Sequence, residues 1–444
     1  MRASVLLLLA LAVGCGGDPA ASTEGEGDGD TGVADAPVDT TSGADVPELP
    51  EGDAAIFPTE DAETVLEDAG PPDAPPPKDY PLPVIPSTCT RVARVLTVNP
   101  NGWGTLLDAF EANVSPCAEY FVHLPAFSGD KTLPRGPLQP AGVRARKGRF
   151  FAAADFDWAA WAARTDLSWF DKGVEFRKRM GGAGYDVVRG DVWVVRGLPA
   201  AVRSDAATRT NVRDLLRGLF TGPTGAKTVM GAVLVANQPH ETTDFGTYEP
   251  NLKTWTVETA FWSDATKYVR FWGQEAFTSS TRVCVAGQTL AARSARVNAF
   301  VMHPASLASA TGAPLTTANA RSFFGGKYLP MMTAFWKSPG QYGDNDIGLD
   351  LMKKLVSLEV YSVRAWQETH TFPGGRLGFA WDESAGTPTE RADLALRVAS
   401  SIRDAYAPGG TALRACNTAG TAAGCDCTLA GAAFNDGWNT FVTW

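Results

Sequence analysis

Several short motifs that identify common enzyme classes are absent from this sequence. It contains no P-loop, no G-x-S-x-G nucleophile elbow and no H-E-x-x-H zinc motif. Histidine is scarce, with four residues in a chain of 444, and the four are far apart: His123, His240, His303 and His370. No basic stripe with interleaved aromatic residues stands out, so nucleic acid is not an expected partner. The sequence predicts no metal and no cofactor.

The amino terminus has the layout of a secretory signal. Residues 1–14, MRASVLLLLALAVG, combine one positive charge, a short apolar run and small residues before Cys15. The run is too short for a permanent membrane span. The stretch LAVGC resembles the lipobox of bacterial lipoproteins, which implies cleavage before Cys15 and lipidation of that cysteine. The alternative is a simple cleaved signal, with Cys15 lost or left as a free thiol.

Residues 15–85 are expected to form a disordered acidic tether. From Gly16 to Tyr80 the chain is rich in Gly, Pro, Ala, Thr and acids, and has 18 Asp and Glu against the single Lys78. Such a composition cannot bury enough apolar surface to offset the entropy of ordering. The segment carries a net charge of −17 and the whole chain −10, so the remainder is positive. We expect the tether to hold the folded part away from an anionic membrane surface, at the outer membrane or cell surface of the cell envelope.

Six cysteines follow Cys15, and an even number in an exported chain predicts disulfides. They are Cys89, Cys117, Cys284, Cys416, Cys425 and Cys427. Six cysteines allow fifteen connectivities, and the sequence does not choose among them. The last three indicate a stapled extension over residues 411–444, packed on the main domain. A metal site is the weaker reading of that cluster, because it has no second C-x-x-C and no neighbouring histidine.

Residues 88–410 alternate short apolar strands with amphipathic helical stretches, which predicts a parallel α/β domain. The predicted helical stretches include 251–277 and 317–336. The predicted strands are RVLTVNP, EYFVHLP, RFFAAADFDW, DVWVVRGLP, TVMGAVLVANQP, TRVCVAG, LVSLEVYSV and GRLGFAWDE. Eight strands with helices between them give a single (β/α)₈ TIM-type barrel. A doubly wound open sheet is the competing architecture, but the first strand leads into VNPNGWG, which does not fit a glycine-rich phosphate turn.

Candidate site residues follow from the direction of each strand side chain. In a barrel, alternate residues point inward, and the outward set packs under helices and is apolar. In SLEVYS, Leu358 and Val360 form the apolar set, so Glu359 and Tyr361 are predicted to point inward. The same test selects polar groups that point inward near the carboxyl ends of the other strands, namely Asn99, His123, Asp155, Asp157, Arg196, Asn237 and Asp382. Trp381 lies next to Asp382. Active sites of such barrels lie at this end.

Two carboxylates that face each other across a cavity can divide the work of glycoside hydrolysis, one as acid and one as nucleophile or base. Glu359 and Asp157 are the predicted pair, with Asp155 as the other candidate. Exposed aromatic rings such as Trp158 and Trp381 can stack on sugars, although ordinary core packing is the commoner role of a tryptophan. The predicted partner is therefore an oligo- or polysaccharide bound by a monomer. A weaker alternative places Asp155, Asp157, Glu359 and Asp382 around a divalent cation.

The motifs AADFDW, DVWVVRGLP, VSLEVY and GFAWDE resemble those of glycosidase-type (β/α)₈ barrels, including a group of uncharacterised secreted bacterial lipoproteins. The resemblance covers about residues 90–405. It implies a nucleophile on strand 7, at Glu359, and an Asn-Glu pair ending strand 4. Arg196 and Gly197 stand there instead, so either the acid lies at Asp155 or Asp157, or the barrel binds glycans without cleaving them.

Overall fold

The described part of the chain covers the barrel and the segment that follows it. The computed structural model describes residues 83–98, 104–124, 139–203, 205–222, 225–226, 231–236, 259–276, 278, 280–302, 326–334, 347–370, 375–381 and 386–430. The chain divides into two units, Met1–Gly70 and Pro71–Trp444, of which the second contains all the described residues. The signal peptide, Cys15 and nearly all of the predicted tether lie outside them.

Eight parallel strands close into a barrel. They are β1 (Ala93–Val98), β2 (Ala118–His123), β3 (Arg149–Asp157), β4 (Val192–Leu198), β5 (Ala232–Ala236), β6 (Val269–Glu275), β7 (Tyr328–Thr333) and β8 (Gly375–Ala380). Each strand pairs in parallel with its neighbours in the chain, and β8 pairs with β1 to complete the ring. The predicted (β/α)₈ barrel is confirmed, and the open sheet is excluded.

Helices occupy the connections between the strands. They are α1 (Gly104–Ala112), α2 (Pro140–Arg144), α3 (Trp158–Ala162), α4 (Trp169–Gly182), α5 (Ala206–Phe220), α6 (Thr259–Tyr268), α7 (Ser280–Val283), α8 (Leu290–Val301), α9 (Leu349–Thr369) and α10 (Pro388–Tyr406). Short 3₁₀ turns span Val187–Arg189, Ala200–Arg203, Ala412–Ala415 and Ala422–Cys425, and a small hairpin joins Thr221–Gly222 to Gly225–Ala226. No helix among the described residues is both long and apolar enough to cross a membrane.

Two of the eight predicted strands were wrong. LVSLEVYSV lies inside the 21-residue helix α9, and TRVCVAG begins within the short helix α7. The sixth and seventh strands are VRFWGQE and YLPMMT, which the sequence had placed inside the long helical stretches 251–277 and 317–336. The number of strands was right because two missed strands replaced two incorrect ones.

Helix α9 shows why the strand prediction failed. Its valines favour strands locally, but Met352, Val356, Val360 and Val363 recur every three or four residues and are all buried. That spacing puts them on one side of a helix. Propensity over a nine-residue window was outweighed by the periodicity of the whole 21-residue segment.

The interior of the barrel is filled by apolar side chains at the middle of the strands. This inner cluster consists of Leu96, Phe121, Phe151, Ala153, Val192, Val194, Val233, Val235, Phe271, Leu329 and Met331. The alternate residues belong to a second, larger cluster that packs under the helices, which we call the outer core. The separation of the two clusters follows from the two-residue period of a strand, and it confirms the inward and outward directions expected for β2, β3 and β4.

All six cysteines after Cys15 are paired. The disulfides are Cys89–Cys117, Cys284–Cys427 and Cys416–Cys425. The segment after α10 contacts α9 and α10 through its two 3₁₀ turns. The Cys284–Cys427 bond joins that segment to the residue that follows α7.

We expect Gly378→Ala to destabilise the barrel. A Cβ at Gly378 would overlap the sulfur of Met331 and the side chain of Leu329 inside the barrel, and overpacking a dense core costs about 1–3 kcal/mol. The free energy of unfolding should fall by that amount in urea denaturation. Gly181→Ala, at an open position on α4, is the control and should leave stability unchanged or slightly raised. Equal stability of the two variants would contradict the packing described for β8.

Candidate functional site

Four of the predicted site residues lie together where β2, β3 and β4 end. They are His123, Asp155, Asp157 and Arg196. His123 closes β2, Asp157 closes β3, and Arg196 is in register with Asp157 on the neighbouring strand. We call the end of the barrel where the strands have their carboxyl termini the mouth.

Arg196 joins the two aspartates. Its Nε donates to Asp155 Oδ1 at 3.2 Å, and its Nη2 donates to Asp155 Oδ2 at 3.2 Å and to Asp157 Oδ2 at 2.7 Å. On the other side of Asp155, His123 Nε2 lies 3.1 Å from Oδ1. The two carboxylates therefore share one guanidinium group, which fixes their positions relative to each other.

The two aspartates differ in their access to solvent. The side chain of Asp155 is fully buried, whereas that of Asp157 is 31 % exposed. Burial alone raises the pKa of Asp155, but the charges and hydrogen bonds of His123 and Arg196 outweigh it and hold that pKa below its ordinary value. Asp157 also accepts a hydrogen bond from the backbone N–H of Ala160 and thereby caps α3. Asp157 is the member of the pair that a ligand can reach.

A bulge in β4 lies directly beside Arg196. The pairing of β4 with β5 shifts between Val195 and Leu198, and Gly197 has a φ of +68° within the shifted stretch. This left-handed conformation favours glycine and is strained for most side chains. Bulges often occur next to active sites, where they redirect a side chain. The backbone thus explains why a glycine, and not a glutamate, stands at the end of β4.

Glu359 does not belong to the mouth. It lies in the middle of α9, outside the ring of strands, and is fully buried. Tyr361 is on the same helix, partly buried, and packs against the outer core. The inward direction predicted for both residues assumed strand geometry. Because α9 is a helix, the argument that made Glu359 a catalytic carboxylate no longer applies.

The two tryptophans predicted to stack on sugars are both buried. Trp158 stacks on Trp169 with ring centroids 4.0 Å apart, and Trp381 is 1 % exposed within the outer core. These positions fit core packing. Asn99, Asn237 and Asp382 lie outside the described residues, so their predicted roles at the mouth stay predictions.

One inward carboxylate at the mouth was missed. Glu275 is the last residue of β6 and is partly exposed. Phe271, four residues earlier, belongs to the inner cluster, and Glu275 is in register with Met331 of that cluster, so the strand alternation turns Glu275 inward. The sequence contained a signal for it, because a helix over 251–277 would be 27 residues long with Gly273 inside, which is unusual for a globular domain.

Within the described ranges, no group of three or more His, Cys, Asp or Glu residues is arranged to hold a metal ion. The alternative site of four carboxylates around a divalent cation cannot include Glu359, because Glu359 lies on α9. Asp155 and Asp157 are instead compensated by Arg196.

Comparisons with known proteins leave the family open. No protein-family model matches the chain, and no curated protein is similar to it. Among solved structures it is similar to an endo-beta-N-acetylglucosaminidase from Cordyceps militaris in its apo form, with 14 % identity, coverage of 70 % of this chain and 91 % of that chain, and a TM-score of 0.33. A similarity this weak carries no information about the activity of this chain. The fold class rests on the closed barrel of the chain itself.

Asp155→Asn should weaken the barrel in a pH-dependent way. The variant leaves buried donors of His123 and Arg196 without their anion, which should lower the free energy of unfolding at pH 7 by about 1–3 kcal/mol. The folded-state pKa of Asp155 lies below its unfolded value, so its stabilisation is fully present above the unfolded pKa and is lost as pH falls through the folded pKa. In urea denaturation, the difference between wild type and variant should therefore be constant down to about pH 5 and shrink below about pH 4.

Asp166→Asn is the matched control, since Asp166 pairs with Arg164 at an exposed position. It should change stability little at any pH, because solvent screens exposed pairs. If Asp155→Asn were as stable as wild type at pH 7, the buried pair would not contribute to the stability of this end of the barrel.

Proposed function

We propose that the barrel is a carbohydrate-active protein of the glycoside hydrolase type, in which Asp157 and Glu275 are the carboxylates that meet the sugar. The observation that carries this proposal is the pair of partly exposed carboxylates at the ends of β3 and β6. Glycoside hydrolysis needs two carboxylates on either side of the scissile bond, and the ends of barrel strands are where such groups act.

Asp157 suits the role of nucleophile or general base. That role needs an ionised carboxylate at a fixed position. Arg196 pairs with Asp157 at 2.7 Å, and the N–H of Ala160 holds its other oxygen at 3.1 Å. The Asp157 side chain remains 31 % exposed at the carboxyl end of β3.

Glu275 is assigned to the proton donor. It replaces Glu359 as the second carboxylate of the mouth, and it sits three strands away from Asp157 around the ring. Glycoside hydrolysis needs a proton donor beside the nucleophile or base, and Glu275 is the second carboxylate that the strand alternation turns toward the mouth.

Asp155 and His123 act as positioning residues in this proposal. Both are fully buried and cannot touch a sugar. Asp155 holds Arg196 through two hydrogen bonds, and Arg196 in turn orients Asp157. A shift of one carboxylate by about 1 Å can cost a large factor in rate, so such support is part of a working site.

A non-catalytic glycan-binding barrel is the second candidate. The observation that favours it is Gly197, whose left-handed backbone stands where the resembling glycosidases carry their acid/base glutamate. In this version Asp157 and Glu275 accept hydrogen bonds from sugar hydroxyls without transferring protons.

Asp157→Asn and Glu275→Gln distinguish the two candidates. Each keeps the shape of the side chain and removes its ability to accept or donate a proton, so each should lower kcat by about 10²- to 10⁴-fold if the group takes part in the reaction. Released sugars are measured on a panel of polysaccharides, and binding of the same glycans is measured by calorimetry. Hydrolysis by the wild type that both variants abolish, with binding retained, supports the enzyme.

The control variant is Asp108→Asn, which removes an exposed carboxylate on helix α1 that pairs with Arg146, ahead of β3. It should leave both rate and affinity unchanged. Binding without turnover by the wild type, weakened in Asp157→Asn, would instead support the glycan-binding candidate. Turnover at the wild-type rate in both variants would contradict the assignment of these carboxylates.

We also propose that the chain is exported and anchored in the cell envelope, at the outer membrane or cell surface, by acyl chains on Cys15. The three disulfides support this proposal, because six paired cysteines are typical of proteins that fold in an oxidising compartment. The signal-like residues 1–14 and the following Cys15 supply the layout of a lipoprotein.

Mass spectrometry of membrane fractions should find a mature chain that begins at an acylated Cys15. Cys15→Ser should move the protein into the soluble fraction, since several acyl chains on one residue are what give stable anchoring. Asp18→Ser, three residues further on, is the control and should remain with the membrane. A mature chain that starts elsewhere and carries no lipid would contradict the proposal.

A further inference from the structure

Four arginines gather at the opposite end of the barrel, near the amino termini of the strands. They are Arg94 on β1, Arg149 on β3, Arg270 on β6 and Arg376 on β8, and we call this set the basic floor. Arg94, Arg149 and Arg376 share the strand side of the inward residues Leu96, Phe151 and Gly378. Arg270 is the extra residue of a bulge, because Ala232 pairs with Val269 and Val233 with Phe271.

The basic floor holds more positive charge than the described residues neutralise. Glu119 is the carboxylate that its arginines contact in the described part of the chain. It lies 3.1 Å from Arg94 Nε, 2.8 Å from Arg149 Nη2 and 3.9 Å from Arg270 Nη2. Four guanidinium groups against one carboxylate leave three positive charges in excess.

Arg376 is the member of the set whose donors are not satisfied. Arg376 is only 8 % exposed. Its Nε and Nη1 atoms are buried and donate no hydrogen bond to any described residue. Burial first, and then the charge of Arg94, lower the pKa of Arg376 to about 10. Buried charged donors without an acceptor are costly, and native structures usually provide one.

Arg94 and Arg376 also stand directly opposite each other. The two residues are in register on the neighbouring strands β1 and β8 and lie on the same side of the sheet. Like charges directly across a strand pair destabilise it. An anion between the two guanidinium groups would turn this repulsion into attraction.

Packing on aromatic rings explains only part of the basic floor. The guanidinium carbon of Arg270 lies 4.7 Å from the ring centroid of Phe121 and 5.5 Å from that of Phe271, so Arg270 covers the aromatic layer of the inner cluster. Arg149 lies over Phe151 at 5.8 Å. No such ring contact accounts for Arg94 or Arg376 among the described residues.

We propose that the basic floor is a binding site for a phosphate group, held chiefly by Arg376, Arg94 and Arg149. The planar fork of a guanidinium matches the oxygens of a phosphate, and two forks can grip one phosphate together. Arg94 and Arg149 are partly exposed, which gives an anion a route from solvent to Arg376. The phosphate comes either from the free ion or from the headgroup of an anionic lipid.

Titration calorimetry of the full-length chain with inorganic phosphate tests the site. Ionic strength is held constant with chloride, so that a general salt effect does not register as binding. We expect saturable binding with one site, and a melting temperature that rises with phosphate concentration. Arg376→Gln should weaken binding about tenfold or more, because a charge-assisted hydrogen-bond donor is lost.

Arg149→Gln is the second variant, and it keeps the test decisive if Arg376→Gln does not fold. Arg149 is partly exposed, and its replacement should also weaken binding several-fold. Arg164→Gln, at an exposed arginine paired with Asp166, is the charge-matched control and should bind phosphate as wild type does. Binding of phosphate by both floor variants as tightly as by the wild type would overturn the proposal.

A sedimentation experiment distinguishes the two sources of the phosphate. The full-length chain carrying Cys15→Ser is mixed with vesicles of phosphatidic acid or of phosphatidylcholine. Selective binding to phosphatidic acid that Arg376→Gln abolishes identifies a lipid headgroup as the ligand. Calorimetric binding of free phosphate without vesicle binding identifies the free ion, and binding to neither overturns the site.

Discussion

Closure of the strands into a ring is the constraint on which the rest of this structure depends. Because every second side chain points into a narrow interior, the middle of each strand has to be apolar, and charged inward residues are confined to the two ends. Phe121, Val194 and Met331 fill the middle. Asp155, Asp157 and Arg196 stand at one end, and Arg94, Glu119 and Arg376 at the other. The same alternation therefore builds the core and both of the polar surfaces.

Among the inward charged residues described at the strand ends, acids outnumber bases at the mouth and bases outnumber acids at the floor. At the mouth, two aspartates share one guanidinium, and Glu275 adds a third carboxylate to that end of the ring. At the floor, one glutamate serves several arginines. A buried pair is worth little net stability when both desolvation and attraction are counted. Removing one partner of such a pair is costly all the same, because it leaves an uncompensated charge, and Arg196 in addition fixes the relative position of Asp155 and Asp157.

Sequence reasoning found the barrel and four residues of the mouth because these depend on a short-range rule. In FFAAADFDW the outward Phe156 sets the direction of Asp155 and Asp157, and no knowledge of the rest of the chain is needed. It failed at Glu359, because Val356 and Val360 suit a strand as well as a buried helix, and only the length of α9 decides between the two. Glu275 was missed because its strand was taken for part of a helix. The helix that ends at Tyr268 is followed directly by the strand that begins at Val269, so no turn marks the boundary. The bulge at Gly197 depends on pairing with β5, which no local pattern records.

The disulfide between Cys284 and Cys427 spans 143 positions of the chain. The stretch between these two cysteines contains β7, β8 and three of the long outer helices. A single cut of the backbone anywhere in that stretch leaves both fragments covalently joined, and the smaller closed loop of Cys416 and Cys425 lies within the joined part. In an environment rich in proteases, the carboxyl-terminal third of this barrel can thus be nicked once without being shed.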